Sequence, residues 1–170
     1  MITHAHADHA PYGCQEYIGT KSTIEILKKR SKSFINAKIV SYNEAFKING
    51  IKFIYYPAGH ILGSSQIKIF LDNEQWLITG DFKRSEDSSC ESFQQVKADL
   101  IVIESTFGLP IFIWENTESI IKDIINWVRN NNSSISLLYA YSLGKSQRIL
   151  SELYKQNYNE EIYIHSSINN

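Results

Sequence analysis

Thr3-His4-Ala5-His6-Ala7-Asp8-His9 places three of the chain's five histidines and one carboxylate within seven residues. Imidazole and carboxylate are the usual ligands of zinc and similar divalent metals. Four candidate ligands this close cannot all face one ion from a regular strand or helix. A tight loop can divide them, so that His4 and His6 face one metal while Asp8 and His9 face a second. The small alanines and the Asp-His ending set the stretch apart from a solvated histidine-rich tail.

Two more candidates stand alone further on. His60 lies in Pro57-Ala58-Gly59-His60-Ile61-Leu62-Gly63, where glycines on both sides let backbone approach a buried site. Asp81, in Thr79-Gly80-Asp81-Phe82, follows the apolar run Trp76-Leu77-Ile78 and so falls just past a strand end. Either one alone is weak, since such residues usually serve turns. Together with the histidine cluster they make an ordered ligand set. Glu104 closes the continuous apolar run Leu100-Ile101-Val102-Ile103, which reads as a strand buried on both faces. Ser142, Lys145 and Arg148 fall in a strand-loop-helix pattern around Gly144. Helix-start amides with these cations could meet backbone phosphates; a capped surface helix is the other reading.

The positioning elements follow from local pattern. Residues 21–32 read as a helix with Tyr17, Ile18, Ile24 and Leu27 on its apolar side, capped by Thr20 or Ser22. Its Lys28-Lys29-Arg30 end suits a helix C-terminus better than a nucleic-acid patch. Strands are expected at 37–41, 46–48, 51–56, 65–71 and 75–79, with Asn49-Gly50 as a type I′ hairpin signal. Asn116-Thr117 caps a helix with apolar Ile120, Ile121, Ile124, Ile125 and Val128. A strand at 135–140, a helix at 144–156 and a strand at 161–164 then read as a parallel α/β unit. The expected organisation is a β-rich layered domain over 1–108 and the beginning of an α/β domain over 109–170.

A length of 170 residues with 43% hydrophobic content suffices for one sizeable core. A net charge of −1 excludes a global basic field, so nucleic-acid contact would be a local patch. Cys14 and Cys90 are far apart and outside any Cys-x-x-Cys pairing, which fits a reducing compartment. Without a signal-peptide pattern or a run of about 18 apolar residues, the chain reads as soluble and cytoplasmic, with no membrane contact.

Thr-His-Ala-His-Ala-Asp-His, Pro-Ala-Gly-His-Ile-Leu-Gly-Ser and Thr-Gly-Asp-Phe-Lys, in this order, resemble the metallo-β-lactamase fold. Asp99-Leu100-Ile101-Val102-Ile103-Glu104-Ser105-Thr106-Phe107-Gly108 resembles the acidic motif that opens the β-CASP insertion of its nucleic-acid-processing branch. The resemblance implies a mixed α/β (α+β) fold, a partial αββα sandwich followed by the start of a β-CASP insertion. It implies His4, His6 and His60 on one divalent metal, Asp8 and His9 on a second, and Asp81 bridging. Zinc is the expected metal, with manganese the alternative. Asp8, Asp81 and Glu104 would be the catalytic carboxylates, Glu104 by holding a distal general-acid histidine. Ser142, Lys145 and Arg148 would contact substrate.

The motifs most resemble bacterial exonucleases associated with a DNA ligase and a helicase, and are similar to RNA 3′-end processing enzymes of that branch. The implied activity is phosphodiester hydrolysis, on DNA before RNA, by a water that two cations polarise. Family members carry strands before the histidine motif and two further histidines beyond it. The resemblance therefore implies a chain truncated at both ends, with an incomplete second metal site and poor folding alone. His165 reads as a strand-end histidine. Two rival readings are a small-ester or thioester hydrolase of the same fold and a non-catalytic fragment that binds metal or a partner protein.

Overall fold

A computed structural model describes residues 1–31 and 34–169. The chain divides into two compact units, Met1–Glu104 and Ser105–Asn169.

In the first unit, β1 (Tyr17–Thr20), α1 (Lys21–Arg30) and β2 (Ala37–Val40) form a parallel βαβ turn. Thr20 caps α1, its hydroxyl accepting from the Thr23 amide, and Lys28, Lys29 and Arg30 fill the last turn as its C-terminal polarity favours. The helix ends at Arg30; Lys32, the last expected helical residue, lies outside the described residues. The second sheet has the order β3-β4-β5-β6-β7. Its strands are β3 (Ala45–Ile48), β4 (Ile51–Pro57), β5 (Ser65–Leu71), β6 (Glu74–Ile78) and β7 (Leu100–Val102). The Asn49-Gly50 hairpin forms, both residues at positive φ as a type I′ turn demands.

Alternation along β1 decides the layering. Tyr17 joins Ile24, Leu27, Ile2 and Ile35 beneath α1, whereas Ile18 packs with Val40, Tyr55 and Ile67 between the sheets. Tyr55 is fully buried, and its hydroxyl donates to the Ile18 carbonyl, tying one sheet to the other. The outer face of the large sheet carries an irregular segment in place of a helix: Gln66 donates to the Gln94 carbonyl and Lys68 to the Lys97 carbonyl. The result is an α/β/β stack.

One expectation for this unit fails. Residues 100–103 are exposed, Ile103 by 60%, because β7 pairs only with β6 and forms the sheet edge. An apolar run cannot by itself distinguish a central strand from an edge strand.

The second unit contains α2 (Thr117–Asn130), capped by Asn116 as its sequence suggests, and α3 (Lys145–Lys155), which begins one residue after Gly144. Ile121 and Ile125 pack on Leu153, with Ile149 and Tyr158 alongside. The strands expected at 135–140 and 161–164 are absent among the described residues. Those segments run irregularly, with Ile135 90% and Tyr139 89% exposed. Strand propensity needs a partner edge to become a strand, and no strand of this unit offers one. His165 caps a short 3-10 turn, Ser166–Ile168, instead of ending a strand; its Nδ1 accepts from the Ser167 amide at 3.2 Å.

Candidate metal centre

Sheet topology collects the candidate residues. Strands β4, β6 and β7 run in the same direction, because β5 is antiparallel to both β4 and β6, and β7 is parallel to β6. Their C-terminal ends therefore lie at one end of the sheet. That end receives His60 after β4, Asp81 after β6 and Glu104 after β7. The histidine loop reaches the same end through two backbone bonds. Ile2 donates to the Ile18 carbonyl at 2.9 Å, and Ser65, which opens β5, donates to the Thr3 carbonyl at 2.8 Å.

Four side chains converge there. His6 Nδ1 lies 3.0 Å from His4 Nε2 and 3.3 Å from His60 Nε2. Asp81 Oδ2 lies 3.8 Å from His4 Nε2 and 3.6 Å from His60 Nε2. One ligand atom from each of His4, His6, His60 and Asp81 falls within a 4.8 Å group, a set able to surround a single cation. The other Asp81 oxygen, Oδ1, is 3.1 Å from His9 Nε2. Asp8 Oδ2 approaches His9 Nε2 at 3.7 Å, but its side chain is 78% exposed and stands outside the four-residue group.

Burial prepares the inner side of the cluster. His4 is fully buried, and desolvation, reinforced by His9, His60 and His6, lowers its pKa to about 2. Burial likewise lowers His60; the Asp81 and Glu104 carboxylates oppose that shift without cancelling it. These imidazoles stay neutral, each with a lone pair available. Three imidazoles and a carboxylate suit a hard or borderline divalent cation.

The loops that carry these side chains are themselves held. Ser64 Oγ accepts from the His60 and Ile61 amides at 3.0 and 3.2 Å. The Gly63 carbonyl accepts from both Thr20 and Thr23 hydroxyls at 2.8 Å, binding the His60 loop to the α1 cap. Gly63 has φ +81, and a Cβ there would come within 2.6 Å of the Thr23 amide, so only glycine allows this approach. Gly80 plays the same part before Asp81: at φ +55, an added Cβ would sit 2.6 Å from the Thr3 Cβ. Beyond Asp81, Lys83 donates its amide to the Ala58 carbonyl at 2.9 Å, and its ammonium pairs with the buried Asp87. Burial alone would raise the Asp87 pKa, but the Lys83 contact and two Ser89 hydrogen bonds outweigh it and lower it. Glu104 Oε1 accepts from the Phe82 amide at 3.4 Å, next to Asp81.

Sequence reasoning did not single out Thr3, Ser64 or the Lys83–Asp87 pair. Thr3 and Ser64 lie inside the motifs; Lys83–Asp87 shows only as an i, i+4 opposite-charge pair in an irregular stretch. Ser142, Lys145 and Arg148 belong to the second unit. Ser142 lies in the turn before α3, and its carbonyl accepts from Gln147. Lys145 stands over the Tyr141 ring at 5.6 Å. Arg148 donates to Thr117 Oγ1 at 2.7 Å, a bond that ties α3 to the start of α2.

A histidine–aspartate cluster at the strand ends of the large sheet, able to hold a divalent cation, fits the metallo-β-lactamase motifs of the sequence. The comparisons with known proteins agree. No protein-family model matches the chain. It is 32% identical over 137 residues to Endoribonuclease YSH1 of Kluyveromyces lactis, covering 78% of the chain and 18% of that protein. It is 28% identical over 157 residues to a Probable DNA ligase of Opitutus terrae, 90% of the chain and 15% of that protein. The Cleavage and polyadenylation specificity factor subunit 3-I of Arabidopsis thaliana is 26% identical over 184 residues, 88% of the chain and 26% of that protein. The crystal structure of a protein of unknown function from Enterococcus faecalis V583 superposes with a TM-score of 0.60 at 13% identity, over 90% of this chain and 43% of that one, a likeness of fold. The chain thus spans about a quarter or less of the length of these curated relatives. Motifs, fold and relatives together place it with the metallo-β-lactamase/β-CASP proteins.

Proposed function

We propose that the chain is the metal-binding part of a metal-dependent nuclease that hydrolyses phosphodiester bonds in nucleic acid. The observation that carries this reading is the convergence of His4, His6, His60 and Asp81 at the strand ends, in a chain that matches an endoribonuclease over most of its length.

His4, His6, His60 and Asp81 would hold one divalent cation. Asp8 and His9, with the second oxygen of Asp81, would hold another, more weakly. Zinc fits the imidazole-rich set, and manganese is the alternative. Bound cations supply Lewis-acid polarisation of water and of a phosphate oxygen. Three neutral imidazoles leave net positive charge at the loaded site, which suits an anionic diester. Glu104 faces the same strand end and holds the Phe82 amide, placed to orient a proton donor. Residues 1–108 would form the catalytic layer structure and 109–170 the opening of the β-CASP part, where Ser142, Lys145 and Arg148 around the start of α3 would meet backbone phosphates.

DNA as substrate, cut from an end, is supported by the motif resemblance, which also implies association with a ligase and a helicase, and DNA by a relative named as a probable DNA ligase. RNA is supported by the relatives named as an endoribonuclease and as a cleavage and polyadenylation factor. No helix among the described residues is long and apolar enough to cross a membrane.

The test joins metal analysis with cleavage of end-labelled single-stranded DNA and RNA of matched sequence. Metal-dependent cleavage of DNA alone supports the exonuclease reading, and of RNA alone the processing reading. Turnover of a thioester without cleavage of either oligonucleotide defeats both. Glu104→Gln in a catalytically competent protein should lower turnover about 10²–10⁴-fold, the span of a general acid, with metal content unchanged.

A further inference from the structure

The hydroxyl of Thr3 stands between two of the histidines. Its Oγ1 lies 3.1 Å from His4 Nδ1 and 3.3 Å from His9 Nδ1. The two rings are neighbours, with centroids 4.2 Å apart. Their opposite nitrogens face the two oxygens of Asp81, His4 Nε2 towards Oδ2 and His9 Nε2 towards Oδ1.

A neutral imidazole has one N–H and one lone pair, and the partner of one nitrogen decides which nitrogen keeps the proton. A hydroxyl oxygen has two lone pairs and can accept from two donors at once. From this geometry we infer that Thr3 is a positioning residue that sets the tautomers of His4 and His9 together. By accepting both Nδ1–H groups, it leaves both Nε2 lone pairs aimed at the cation positions on either side of Asp81. The inference rests on the metal-centre reading above and adds that one side chain outside the ligand set prepares a ligand for each ion. A ligating histidine whose far nitrogen has no fixed partner rotates and populates the wrong tautomer, and such supporting groups are worth about 10–100-fold in metal affinity.

Backbone supports this role. The Thr3 carbonyl accepts from the Ser65 amide at 2.8 Å, which anchors the residue to the start of β5. Gly80 lets the chain before Asp81 press against the Thr3 side chain. The hydroxyl is therefore held in place relative to both the histidine loop and the Asp81 loop.

The test compares Thr3→Val, which keeps the shape and removes the hydroxyl, with Thr3→Ser, which keeps the hydroxyl. Long-range ¹H–¹⁵N spectra of the metal-free protein read the tautomers directly, and Co²⁺ titration followed by its d–d absorption reads both binding events. Expected are Nδ1–H tautomers for His4 and His9 in the parent and in Thr3→Ser. In Thr3→Val the Nε2–H form should grow in both rings, with both Co²⁺ affinities falling about 10–100-fold. Nε2–H tautomers in the parent would overturn the inference, as would loss of only one ion in Thr3→Val or equal impairment of Val and Ser, which would mean packing. Should Thr3→Val fail to fold, Thr3→Ala against Thr3→Ser makes the same comparison. A parent with the expected tautomers that binds no Co²⁺ would instead sink the metal-centre reading.

Discussion

His4 and Asp8 are four residues apart on one loop, and the fold treats them oppositely. His4 is fully buried beneath three other rings, while the Asp8 side chain is 78% exposed and touches the centre only through His9. Asp81 lies between the two sides with one oxygen turned to each. The inner side is assembled before any ligand arrives. Burial keeps His4 and His60 neutral, and Ser64, Gly63 and Thr3 hold the loops that carry the cluster, so little ordering remains to be done on binding. The outer side keeps one flexible carboxylate in water, and binding there must order it. The two sides should therefore differ in affinity for the same ion.

His60→Ala tests that difference most severely. Removing a half-buried imidazole from the inner set leaves a three-residue remnant with an open wall, so the tight ion should disappear from equilibrium dialysis with metal analysis. Retention of that ion would place it elsewhere. Asp81→Asn comes next and should weaken both ions, because the neutral amide offers less charge to each side. A fall confined to one ion would show that Asp81 does not serve both. Asp8→Asn should be milder again, reducing the weaker ion alone, and a loss of the tight ion would erase the contrast between the sides.

How readily the sequence discloses this molecule also differs by region. The inner cluster is legible because the proposed ligation would impose type and spacing together: His4-x-His6 in a loop, then single residues at the ends of β4 and β6. Period-two patterns and Asn49-Gly50 disclose the strands that deliver them, and Thr20 and Asn116 disclose their helices. What escapes is decided by pairing across distance. Leu100–Val102 has the composition of a central strand but only one neighbour in the sheet. The runs at 135–140 and 161–164 have strand composition and no edge to join. The bond from the Arg148 guanidinium to Thr117, 31 residues away, has no local signal either. Thr3 is invisible as a positioning residue because a threonine before a histidine has no distinctive pattern; only the folded loop brings one hydroxyl to two rings.

The smallest predicted effect concerns the metal-free protein and acid. Unfolded, His4 titrates near the ordinary 6.5; folded, burial and its neighbours hold it at about 2. Between these values the unfolded chain binds a proton that the folded chain refuses, so stability rises with pH across that window. His4 therefore contributes its full share above about pH 6.5 and loses it progressively as pH falls towards 2. Asp87 also has a depressed pKa, but its ordinary value is 3.8, so its share is lost only in stronger acid. Denaturant midpoints of the metal-free protein should then begin to fall between pH 6.5 and 4, before any loss that Asp87→Asn can remove. His4→Gln, which cannot take up the proton, should make the profile shallower in the upper part of that range, leaving the share of His60, whose pKa burial also lowers. If the parent and His4→Gln follow parallel curves from pH 7 to 4, the inner side is not held neutral by burial. The contrast between His4 and Asp8 would then be one of position alone.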